Sequence, residues 1–161
     1  LLATDVLGLS VSAVGFAMMM GSVSGLVAAY PSGWLADRYG RKTVIVPSTV
    51  MAGASMALFC YAPSYPWFVA ASIAWGVAIS IGAAAPAAYA ADSAPEGMNA
   101  AAVSTFRMMG DAGYMLGPLA LGLVADLYGS VTAIMISAVL MALVGIAFGL
   151  FAVETYAGGR R

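Results

Sequence analysis

The sequence predicts an all-α, polytopic membrane protein with about five transmembrane helices. Only 8% of its 161 residues are charged and 63% are hydrophobic, whereas average soluble domains carry about 25% charged residues. Val6 to Ala36 runs 31 residues without a charge, and Thr43 to Ala91 runs 49. About 20 apolar residues suffice to cross a hydrocarbon core of roughly 30 Å. Between these runs lies Gly33-Trp34-Leu35-Ala36-Asp37-Arg38-Tyr39-Gly40-Arg41-Lys42, with four charges and two glycines in ten residues. It reads as a tight loop at a bilayer surface. A soluble fold of this composition would need several fully buried helices and almost no polar surface, and secretory signal peptides have a much shorter apolar core.

The first helix is expected over residues 9–32. Gly21 and Gly25 lie four apart and line one face with small residues, which lets another helix approach closely. Pro31 sits at the expected exit, where a lost amide bond costs least. After the charged loop, in which Asp37 and Arg41 are spaced to pair, the second helix is expected over 43–61. Pro63-Ser64-Tyr65-Pro66 breaks the long uncharged stretch, and Tyr61, Tyr65 and Trp67 cluster there, as aromatic side chains do at the headgroup level. The third helix is expected over 67–91, bent at Pro86. Asp92, Pro95, Glu96 and Gly97 mark the return to the first surface. The fourth helix, over 99–125, is the least apolar, with Arg107 and Asp111 four apart. The turn Asp126 to Ser130 precedes the fifth helix, over 131–153.

The charges orient this layout. With an external start, Arg38, Arg41, Lys42, Arg160 and Arg161 all fall in cytoplasmic segments, and Asp5 and Asp126 fall outside. That satisfies the positive-inside rule, so the 33–42 loop and the carboxy terminus are expected in the cytoplasm. Net charge near −1 gives no reason to expect a nucleic-acid partner. With no histidine and one cysteine, Cys60, the common zinc geometries are absent. No glycine-rich run ends in Gly-Lys-Ser/Thr. No metal, cofactor or enzyme activity is expected. The chain begins Leu-Leu rather than Met and is expected to be a piece of something longer.

Gly33-x-Leu35-Ala36-Asp37-Arg38-x-Gly40-Arg41-Lys42 closely resembles the signature loop of the major facilitator superfamily of transporters. Ala90-Ala91-Asp92 followed by Pro95 resembles the segment after the family's fourth or tenth helix. Gly113-x-x-x-Gly117-Pro118-x-x-x-Gly122 resembles its glycine-proline pattern in the fifth or eleventh. The resemblance runs from about Asp5 to Thr155 and implies a partial major-facilitator-type bundle. Ser72 stands where drug-exporting members commonly carry an arginine in the amino-terminal half, and the turn at 126–129 lacks the usual tryptophan-arginine pair. Helices eight to twelve, the carboxy-terminal portion, are therefore the expected set, with the amino-terminal half of the same transporter missing. The odd span count leads us to expect that this chain alone folds poorly and transports nothing.

The resemblance implies secondary transport of a small solute by alternating access, the two halves rocking about a site near the bilayer midplane. Proton-coupled efflux across a bacterial plasma (inner) membrane is the first expectation, with protons as a second partner. A sugar or metabolite uptake carrier is the alternative, and Glu154-Thr155 faintly resembles the end of sugar carriers. A non-transporting membrane scaffold or assembly subunit is the reading from another class. The resemblance also implies a conformational role for Gly33, Asp37, Arg38, Gly40, Arg41 and Lys42, holding the cytoplasmic face closed; topology anchoring by the three bases is the plainer reading. Ser22, Ser24, Trp75, Ser80, Tyr89 and Tyr114 are candidates to line the solute path, although membrane serines often satisfy their own backbone and tyrosines often anchor interfaces. Arg107 and Asp111 are candidates for coupling, since charges in a membrane segment are costly and often functional. An ion pair near the surface, with Arg107 snorkelling, is the alternative. Gly21, Gly25, Gly113, Gly117, Pro118 and Gly122 are expected to serve helix packing, against a surrounding lipid bilayer.

Overall fold

The computed structural model describes residues 8–155. Asp5, Arg160 and Arg161, used above to orient the chain, lie outside that range. Within it the chain folds as α1 (Val11–Tyr39), α2 (Arg41–Cys60), α3 (Tyr65–Asp92), α4 (Asn99–Tyr128) and α5 (Ser130–Phe151). All five are long and apolar enough to cross a membrane. Even α2, with 20 residues, spans about 30 Å at the α-helical rise. The protein is an integral membrane helical bundle. Its outer faces carry Leu26, Val27, Leu119, Leu143, Val144 and Leu150, all more than half exposed, which suits lipid and not water.

The charged decapeptide differs from its expected form. Residues 33–39 continue α1, and the joint to α2 is Gly40 alone, with φ 98°. Continuing the helix keeps each backbone amide paired where water is scarce. Only glycine adopts this φ readily. The expected turn at 126–130 contracts in the same way to Gly129, with φ 86°. The two joints share a sequence: Gly33-Trp-Leu-Ala-Asp-Arg-Tyr-Gly40 and Gly122-Leu-Val-Ala-Asp-Leu-Tyr-Gly129 match at glycine, alanine, aspartate, tyrosine and glycine. They lie at opposite ends of the bundle. α3 begins two residues earlier than expected, with Pro66 in its first turn, where its missing amide is no loss.

α1 packs chiefly on α3, and α2 packs between α3 and α5; α4 touches α3 and α5 more sparingly. The seams are built from small residues. A Cβ on Gly21 would lie 2.5 Å from the Ser72 carbonyl oxygen, and one on Gly25 would lie 2.5 Å from Ser80 Oγ. A Cβ on Gly76 would collide with the Gly21 carbonyl. On the other side, Gly53 faces the Ala138 carbonyl, and Gly145 faces Thr49 and Val50. Such seams let backbones approach closely enough for dispersion to hold helices together where no hydrophobic drive exists. Buried Ser48, Ser55 and Ser72 donate to carbonyls one turn earlier, so none of these three hydroxyl protons is stranded. At the Ser10 end, Phe68 is fully buried and tilts against Phe59 at 5.2 Å. There Tyr65 Oη donates to the Ala13 carbonyl at 3.2 Å, tying α3 to α1.

Gly76→Ala should force α1 from α3 and destabilise the bundle by about 1–3 kcal/mol, the usual cost of overpacking. The thermal midpoint of the full-length protein in detergent should fall. Gly15→Ala, whose Cβ meets nothing within 4 Å, should leave it unchanged.

Candidate functional site

Two places gather polar side chains. The first is the end of the bundle where α1 passes into α2. Arg41 opens α2 and reaches both Asp37 (Nη1 to Oδ1, 2.6 Å) and Asp92 at the end of α3 (Nε to Oδ2, 3.2 Å). Its guanidinium is largely covered, whereas Asp37 is 67% exposed. An ion pair this open is worth about 1 kcal/mol or less, so it can break and re-form without a large barrier. Arg38 turns outward and lies over the rings of Trp34 (5.0 Å) and Tyr39 (5.8 Å), a cation–π arrangement.

Two bases at the start of α2 would oppose its dipole. Glu154, which follows α5, supplies the compensation. Its carboxylate accepts from the Arg41 amide at 3.0 Å and the Lys42 amide at 3.1 Å. The cap thus comes from a residue 113 positions away. A Cβ on Gly40 would lie 2.7 Å from Glu154 Oε2, so this glycine serves both the turn and the carboxylate. In return Lys42 Nζ donates to the Ala152 carbonyl at 2.8 Å, a cation at the carboxy end of α5. Tyr89 Oη donates to the Val153 carbonyl at 2.9 Å, and its ring meets Phe148 edge-on at 5.0 Å. Tyr89 therefore fastens the end of α5 and lines none of the cavities described below. Asp92 and Glu154 enter the sequence reading as a surface marker and as parts of family-like segments, but not as partners of the charged loop. Their partners lie 51 or more positions away, and no local spacing announces them. Gly33 has no neighbour within 4 Å of a would-be Cβ.

The second place is a cavity of about 280 Å³ between α1 and α3, walled by Met18, Gly21, Ser22, Gly25, Ser72, Trp75, Gly76, Ile79 and Ser80. It brings together Ser22, Trp75 and Ser80, and no charged side chain is among its walls. Ser22 Oγ donates to the Met18 carbonyl at 3.0 Å, leaving its lone pairs as acceptors. Ser80 Oγ, also in the wall, makes no hydrogen bond among the described residues, so its donor is unspent. Ser24 is not in the wall: its hydroxyl lies within hydrogen-bond distance of the Gly21 carbonyl (2.8 Å) and, across the seam, the Ile73 carbonyl (3.3 Å). Tyr114 borders a separate cavity of about 330 Å³, with Ser48, Thr49 and Gly82.

α4 has no buried residue. Arg107 and Asp111 are both exposed and form no ion pair with each other among the described residues. Arginine preceding an acid by four is the weaker orientation of such pairs. Gly113, Gly117 and Gly122 face open space, with nothing within 4 Å of a would-be Cβ, and Pro118 is exposed beside them. A Cβ at any of these three glycines would therefore meet no other helix of the described chain.

The sequence model of the Major Facilitator Superfamily matches residues 1–161, and the chain belongs to that superfamily. Among curated proteins, it is 33% identical over 87 residues to the human "Solute carrier family 2, facilitated glucose transporter member 12", covering 54% of this chain and 14% of that protein. The Xenopus laevis protein of the same name is 33% identical over 94 residues, 58% of this chain and 16% of the relative. The mouse protein is 30% identical over 87 residues, again 54% of this chain and 14% of the relative. The matched stretch thus spans only a small part of these relatives.

Glu154→Ala should strip the cap from α2 and cost about 1 kcal/mol, up to about 2. Hydrogen exchange should then quicken at the Arg41 and Lys42 amides and stay unchanged in mid-α2.

Proposed function

From membership of that superfamily, we propose that this chain is part of a secondary transporter that moves a small, uncharged, hydroxyl-bearing solute of the sugar class by alternating access. The observation that carries this reading is the α1–α3 cavity, which offers hydroxyls and an indole but no charge. A charged solute in a low-dielectric wall would need a counter-charge. A pyranose needs hydrogen bonds for its hydroxyls and a flat apolar surface for its C–H face, and Ser22, Ser80 and Trp75 suit both. The relatives' name, facilitated glucose transporter, favours sugar or metabolite uptake over the proton-coupled efflux first expected. Those relatives are vertebrate and lend no support to a bacterial inner membrane.

In this reading the chain supplies helices eight to twelve, and the charged end faces the cytoplasm. The Asp37–Arg41–Asp92 cluster and the Glu154 cap hold α1, α2, α3 and the end of α5 together while that face is closed. Opening it separates these weak contacts, which fits their exposure. The glycine-lined face of α4, with Arg107 and Asp111, then packs against the remainder of the transporter.

Glucose counterflow into proteoliposomes containing the full-length protein tests the proposal. Ser80→Ala should weaken apparent affinity about fivefold, the value of one neutral hydrogen bond, and Trp75→Ala more strongly. A scaffold would show no flux at all. Asp37→Asn should preserve topology and abundance while altering the transport rate; an unaltered rate would leave the loop only its anchoring role. If transport is facilitated and not proton-driven, Asp111→Asn should leave its pH dependence unchanged.

A further inference from the structure

The α1–α3 cavity has an apolar neighbour. A cavity of about 210 Å³ lies toward the Tyr65 end of the bundle, walled by Val14 of α1, Met56 and Phe59 of α2, Phe68 of α3 and Ile134 of α5. Met18 and Trp75 belong to the walls of both cavities. Chemistry changes across that shared wall. On one side are three serines; on the other is no hydroxyl, amide or charged side chain. The space is a partly open cleft, with Met18 of the shared wall 44% exposed, and a water there would find none of the two to four polar partners that hold an ordered one. The space beyond Trp75 is large enough for a phenyl ring and offers water almost nothing.

We propose that the two cavities form one binding site for amphipathic glycosides. The sugar ring occupies the serine-lined part, and an apolar substituent of phenyl size lodges beyond Trp75 between α1, α2, α3 and α5. This rests on the reading of the α1–α3 cavity as the solute site. It adds a ligand class that a sugar pocket alone would not favour. Val14 and Ile134 approach the apolar part from different helices, so each can fill it independently.

The test is equilibrium binding of tritiated methyl β-glucoside and phenyl β-glucoside to the full-length protein in nanodiscs. The phenyl compound should bind about tenfold tighter, a modest share of the transfer free energy of a buried ring. Val14→Phe and Ile134→Phe should each abolish that advantage and leave methyl glucoside binding unchanged, which also shows that the variants fold. Equal affinity for the two glucosides in the unaltered protein would overturn the proposal while leaving the sugar reading intact. A phenyl advantage that survives both filling substitutions would overturn it too, because the ring must then lie elsewhere. Failure of both glucosides to bind the unaltered protein would overturn the sugar reading and this inference with it.

Discussion

A chain in hydrocarbon cannot leave a backbone amide or carbonyl to water, and much of this structure follows from that constraint. Helices run on until the last possible residue. Two of the joints are reduced to one glycine each, at Gly40 and Gly129. Where α2 begins with two bases instead of a polar cap, the missing acceptor is brought from beyond α5, by Glu154. The post-α5 segment is held in turn by Lys42 and Tyr89. A local problem of hydrogen-bond satisfaction is solved by a long-range contact, and the contact couples α2, α3 and α5 at one end.

The same medium explains the seams and the cavities. Helices that gain nothing from leaving water must touch closely, so glycine, alanine and serine line the α1–α3 and α2–α5 contacts. Small residues cannot fill every space beside a large one. Trp75 stands next to Gly76 and across from Gly21 and Gly25, and cavities open on both of its sides. Close backbone approach and unfilled volume therefore arise from the same residues. In a rigid protein that volume would be a cost. Under the proposed function it is where a solute would sit.

Much of this was legible in the sequence because the signals are local. Five apolar spans, their order, the glycine pair at 21 and 25, and the i,i+4 pairing of Asp37 with Arg41 depend only on residues near one another. The helix ends were less legible. Gly33 looks like a loop residue, yet nothing at 33–39 forbids a helix, and the bilayer surface favours one. The contacts of Asp92 and Glu154 with the charged loop were not legible because the partners lie 51 to 113 positions away. Tyr89 looked like a solute-lining residue on its helix, but its hydroxyl is spent on Val153. The α4 glycines carry the spacing of a packing face, but no described residue lies against them, so the spacing is readable and a contact is not.

The repeated octapeptide sharpens the contrast between the two ends. Gly40 and Gly129 make nearly the same bend from nearly the same sequence, so the bend itself requires neither Arg38 nor Arg41. Asp37 has Arg41 four residues on; Asp126 has Ser130, and no ion pair forms there among the described residues. Nor does a distant carboxylate cap α5, whose first residue is a serine rather than a base. The glycine joint is thus the common structural device, and the ionic cluster is an addition confined to one end. An addition that the turn does not need, built from contacts weak enough to break, agrees with the proposed role of favouring one conformation over another.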